Sequence, residues 1–307
     1  MESGFINEEN YIEENENQKL EIKRLLIYLA LAFGLSWALF LAYSLTGHKW
    51  DGTNPYLEQL VGLGMLVPFI AHILTRMITK EGFALTGKDS LMLGISFKEK
   101  KWKYYLFALF MPWIYTEISN LLTLAIVPEA FDTSLLKEAG LSNGFAFSFP
   151  FVVMVSTSII SFAALGEEGG WRGYMMPKLI KLIGMLKAIL LGGIIWGIWH
   201  APLTVVGHNF GTDYTGFPYV GIIIMCILCT LIGIMLTFIT IKTGSIWPAA
   251  IMHAVNNGGP CISKFYINSD IFTEKCGSSL MYWLFILLPM AVIDGIIIVY
   301  EVKRSKE

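Results

Sequence analysis

Apolar residues arrive along this chain in long blocks separated by short polar stretches. The blocks show neither the alternation of a half-buried strand nor the one-sided stripe of a soluble helix. A helix needs about 20 consecutive apolar residues to cross a bilayer, and runs of that kind cover 25–45, 57–78, 104–127, 147–167, 185–205, 219–241 and 280–302. A shorter apolar run at 245–257 makes an eighth. The pattern predicts an all-α polytopic membrane protein of about eight transmembrane helices.

Composition agrees: of 307 residues 55% are hydrophobic and only 15% charged. The formal net charge of −2 builds no field of either sign large enough for nucleic acid, so the expected surroundings are membrane lipids. The placement of charge is more informative. With the N-terminus inside, the cytoplasmic segments hold 18 of the 22 Lys and Arg residues, leaving Lys49, Lys137, Lys264 and Lys275 outside. The positive-inside rule therefore selects both termini in the cytoplasm. Residues 1–24 are rich in Glu and Asn and are expected as a disordered acidic tail. Residues 25–302 form one helical membrane domain, and 303–307 a basic tail.

Four cysteines add little. Cys226 and Cys229 sit within one apolar run, where packing is the ordinary role. Cys261 and Cys276 share an outer loop and are candidates for a disulfide if that compartment is oxidising.

Ionisable residues inside apolar blocks carry more weight, because placing one at lipid depth costs at least about 2.5 kcal/mol and marks functional candidates. Glu168 and Arg172 stand four apart in the favourable acid-first order, so they pair on a helix. Glu167 is rotated by about 100° from Glu168 and has no local basic partner. His200 follows Trp196 by one turn on an otherwise uncharged stretch, and His253 shares a helix face with Asn257. Two histidines, an asparagine and an unpaired glutamate on successive helices raise catalysis above a purely structural reading. Glu117 with Asn120, and Asp294, read as interhelical hydrogen-bonding groups, and His72 as a residue snorkelling near the cytoplasmic end.

These residues resemble the CPBP intramembrane proteases, which include type II CAAX prenyl endopeptidases and abortive-infection-like membrane proteins. The E-E-x-x-x-R motif is Glu167, Glu168 and Arg172, the second motif runs from Trp196 to His200, and H-x-x-x-N is His253 to Asn257. The family usually has Phe where this chain has Trp196, a change expected to alter pocket shape more than chemistry. The resemblance covers about 147–257, the expected protease core.

It implies peptide hydrolysis by a water that Glu167 activates as general base with His200, while His253 and Asn257 stabilise the oxyanion. Glu168, Arg172 and Trp196 would support them. Two histidines and a glutamate are also a zinc ligand set, so Glu167, His200 and His253 would be the ligands if Zn²⁺ were bound. Metal-free chemistry with no cofactor is the favoured expectation. The substrate is expected to be a membrane-associated or lipidated peptide, in the plasma membrane of a bacterium or archaeon, with the active site facing the cytoplasmic leaflet. Bacteriocin self-immunity, catalytic or not, is the alternative.

Overall fold

The computed structural model describes residues 8–46, 55–159, 161–277 and 280–304. The principal helices are α1 (Glu8–Ser44), α2 (Pro55–Thr79), α3 (Trp102–Ile126), α4 (Asn143–Ile159) and α5 (Phe162–Gly170). One π-helical turn, Trp171–Met175, joins α5 to α6 (Met176–Ile183). Then come α7 (Met185–Trp199), α8 (Tyr219–Thr243), α9 (Trp247–Gly258) and α10 (Leu280–Arg304). Among the described residues there is no strand, only an isolated bridge between Phe131 and Ile267.

Each apolar block is helical, but eight spanning helices are not reached. Among the described residues five helices are long and apolar enough to cross a membrane, and six if α4 and the bent continuation 162–183 count as one span. At about 1.5 Å per residue, the 15 residues of α7 and the 12 of α9 fall short of a full crossing. The block expected at 147–167 breaks after Ile159, so the helix bearing the two glutamates begins only at Phe162. Residues 8–24, expected to be disordered, instead form the first turns of α1. Ion pairs form within those turns (Lys19 with Glu16, Arg24 with Glu21), and the buried pair of Glu21 with Lys178 ties them to α6. Residues 1–7 and 305–307 lie outside the described residues.

Glycines set the closest helix contacts. A Cβ at Gly166 would lie 2.6 Å from the Met65 carbonyl oxygen, and one at Gly169 would lie 2.7 Å from the Phe69 ring. At Gly170 it would lie 2.5 Å from both Pro68 and the Tyr28 hydroxyl. The G-E-E-G-G run therefore lays α5 directly on the backbone of α2 while its glutamates face elsewhere. Gly193 and Gly197 repeat the device between α7 and α8, meeting the backbone of Thr230 and Cys226. Gly244, in the left-handed region at φ 68°, ends α8 and lets α9 turn back beside it.

Side-chain contacts define the two ends of the bundle. At one end Lys178 contacts Glu21 at 2.9 Å and Glu81 at 2.8 Å, Lys101 donates to the Thr243 carbonyl, and Lys242 pairs with Glu301. This basic end contains the loop between α2 and α3 and the α6–α7 and α8–α9 turns. At the opposite end Ser44 donates to the Pro202 carbonyl, the Asp132 amide to the Tyr266 carbonyl, and the Phe210 and Trp283 rings meet at 5.1 Å.

Candidate active site

The two glutamates leave α5 one residue apart and meet different partners. Glu168 is fully buried, and its Oε1 accepts from Arg172 Nη1 at 3.2 Å, the pair expected from their spacing. The same oxygen accepts from His253 Nδ1 at 2.8 Å. A carboxylate only accepts, so His253 donates through Nδ1 and Nε2 is left for other partners. Glu167, 2% exposed, forms no ion pair among the described residues and accepts at Oε2 from Trp196 Nε1 at 2.7 Å.

Trp196 thus does more than shape a pocket. Its indole N–H holds Glu167, its face carries the Arg172 guanidinium at 4.1 Å, and its edge meets the His253 ring at 5.4 Å. A phenylalanine could make the ring contacts but not the hydrogen bond, so the difference from the family's usual Phe is one of hydrogen bonding as well as shape.

His200 ends α7, where its Nδ1 donates to the Trp196 carbonyl at 2.9 Å and so keeps Nε2 free. On α9, Asn256 Oδ1 accepts from the Tyr115 hydroxyl of α3, and Asn256 Nδ2 donates to Asn257 Oδ1 at 3.2 Å. The Asn257 amide N–H₂ group therefore remains as a donor. Glu167, Trp196, His200, His253 and Asn257 all line one cavity of about 420 Å³, whose other walls include Met65, Leu203, Met225 and Ile232. Glu168 and Arg172 stand behind that wall. Further lining groups that no motif marks include His208 and Asn209, in the loop after α7, and Cys229, whose thiol lies 3.9 Å from His200 Nδ1. No spacing rule in the sequence joins that loop to the motifs.

Other singled-out residues lie outside the cavity. Glu117 accepts from the backbone N–H groups of Ile262 and Ser263 at 2.8 and 3.1 Å, and Asn120 bridges Tyr282 and Cys261, so both tie elements together as expected. Asp294 is 2% exposed, and neither of its carboxylate oxygens has a hydrogen-bond partner among the described residues. His72 does not snorkel: it is fully buried, donates from Nδ1 to the Gly169 carbonyl at 2.8 Å and accepts from Arg76 Nε at 2.7 Å. Arg76 in turn donates to the carbonyls of Gly82 and Ser90, which ties the loop 80–92 to α2. Cys261 and Cys276 are free thiols, and the former is buried against Asn120.

Although Glu167, His200 and His253 line one cavity, no three His, Cys, Asp or Glu side chains among the described residues are grouped as metal ligands. As placed, the expected ligand set does not fit a zinc ion.

The pattern of the type II CAAX prenyl endopeptidase Rce1-like family matches residues 148–259, the segment from α4 to the end of α9. The chain is also similar to CAAX prenyl protease 2 of Methanococcus maripaludis, at 37% identity over 75 residues. That stretch is 24% of this chain and 27% of the relative. The family pattern therefore spans about a third of the chain, and the relative is matched over about a quarter of its length, within an all-α polytopic membrane protein.

Proposed function

We propose that this protein is an intramembrane endopeptidase that hydrolyses a bond in a membrane-associated peptide, lipidated or unmodified, through a water activated by Glu167. The observation that carries the reading is the separation of the two carboxylates: Glu168 is committed to Arg172 and His253, whereas Glu167 lines the cavity without a cation. A carboxylate neutralised by an ion pair is a poor base. One held only by an indole N–H keeps its proton affinity.

Glu167 takes a proton as the water oxygen bonds to the peptide carbonyl carbon, and His200 Nε2 helps to hold that water. The oxyanion that forms is met by the Asn257 amide and by His253, whose protonated form Glu168 supports. With His253 protonated, Glu167, Glu168, Arg172 and His253 sum to zero charge, which suits a site within the membrane. Collapse of the tetrahedral species breaks the C–N bond, and the proton passes from Glu167 to the departing amine. The domain that carries this chemistry is 25–302, with its protease core at 147–257.

The test is cleavage of a peptide library, farnesylated and unmodified, by reconstituted protein. Glu167→Gln, His200→Ala and His253→Ala should each lower the rate by about 10²-fold or more while the protein remains in the membrane. Near-full activity of Glu167→Gln on a validated substrate would overturn the assignment.

A further inference from the structure

The cavity does not run to the basic end of the bundle. From Glu167 and His253 at mid-depth it extends past Asn257 and Gly259 to His208, Asn209 and Trp283. The last three belong to the end where Phe210 packs on Trp283 and Ser44 reaches Pro202. Toward the basic end the floor is closed by Arg172, stacked on Trp196 and paired with Glu168, which also holds His253. Beyond that floor lies a separate cavity of about 410 Å³, lined by Arg76, Lys88, Arg172 and Lys178. The two cavities share no lining residue.

The basic end gathers the described Lys and Arg residues at positions 19–24, 76–103, 172–187, 242 and 303–304, whereas the opposite end has Lys137, Lys264 and Lys275. Charge asymmetry of this size orients membrane proteins with the basic end in the cytoplasm. We infer that the active cavity opens on the external face of the membrane, in place of the cytoplasmic opening expected from sequence. Its substrate class is then a peptide that reaches the membrane from the external side. The inference rests on the proposed protease reading for its substrate, and on the cavity's geometry with the charge asymmetry for its opening.

The opening is tested on the unaltered protein with a membrane-impermeant, amine-reactive label, the modified lysines being mapped by mass spectrometry. Lys264 and Lys275 should be labelled in intact cells, and Lys88 and Lys98 only in inverted vesicles. The mouth is tested separately with His208→Cys in a background lacking the four native cysteines. An impermeant thiol reagent should modify it from the outside, and Asp213→Cys in the same loop controls for loop exposure. Labelling of Lys88 and Lys98 in intact cells, or of His208→Cys from inverted vesicles alone, overturns the inference. In proteoliposomes of known orientation, peptide should be cleaved only when supplied on the face bearing Lys264. Cleavage confined to the Lys88 face overturns the inference as well. If the labelling is as expected but no peptide is cleaved from either face, the protease reading falls and the external opening stands.

Discussion

His253 donates from Nδ1 to Glu168, not to the neighbouring Glu167, across 85 positions of sequence. One carboxylate oxygen thereby fixes both an arginine on its own helix and a histidine on another. The two members of the E-E pair meet different surroundings: Glu168 is paired behind the cavity wall, and Glu167 faces the cavity.

Glu168→Gln should therefore impair catalysis as well as stability. A glutamine keeps one acceptor oxygen but loses the charge that supports a protonated His253, and removing such an outer partner typically costs about 10- to 100-fold. The expected result is a lower kcat per folded molecule with KM little changed, alongside a reduced melting temperature. A variant that melts early yet turns over at the wild-type rate when folded would confine Glu168 to a structural role.

Trp196→Phe separates hydrogen bonding from packing. The phenyl ring retains a face for Arg172 and an edge for His253, while Glu167 loses its N–H partner. A hydrogen bond to a charged acceptor is worth about 1.5–3 kcal/mol, so kcat/KM should change by at least about 10-fold with a small change in melting temperature. Trp196→Ala, which also removes the stacking surface, should lower the melting temperature much further. Equal melting temperatures for the two variants would show that the ring contacts add nothing.

What the sequence made legible follows from how local each signal is. The Glu168–Arg172 pair and the shared cavity lining of His253 and Asn257 are one-turn relations on single helices, and they appear as expected. The Glu168–His253 bond, the Trp196–Glu167 bond and the place of His208 in the cavity depend on how separate helices dock. The glycines at 166, 169 and 170 control that docking through contacts that no periodicity reveals. The burial of His72 has the same origin, since its contacts with Gly169 and Tyr174 exist only once α5 docks on α2. The expected span at 147–167 failed differently: hydropathy continues smoothly across 159–162, while the backbone does not.

Metal removal probes the separation of Glu167, His200 and His253. Because the described residues offer no grouped ligand set, extensive chelation should leave cleavage intact. Elemental analysis of purified protein should find well below one zinc per chain. Stoichiometric zinc that disappears in His200→Ala would require the three side chains to close together on the ion, and would replace the Glu167-activated water with a metal-bound one.

The basic end predicts a pH dependence of stability that is separate from catalysis. Burial alone would raise the Glu81 carboxyl, but hydrogen bonds from Lys178, Tyr174 and Thr79 outweigh it and hold the group down at about 2. An unfolded glutamate titrates near about 4.3, so the folded state binds this proton less readily than the unfolded state. The stabilisation is complete above the unfolded value and is lost as pH falls from there through the folded one. The melting temperature of the detergent-solubilised protein should therefore decline between about pH 5 and pH 2. Glu81→Gln should melt lower at neutral pH, because it leaves Lys178 with Glu21 as its single carboxylate partner, and its profile should be flatter across that acid range. Parallel profiles for wild type and Glu81→Gln would assign the acid sensitivity to other carboxylates, Glu21 first among them.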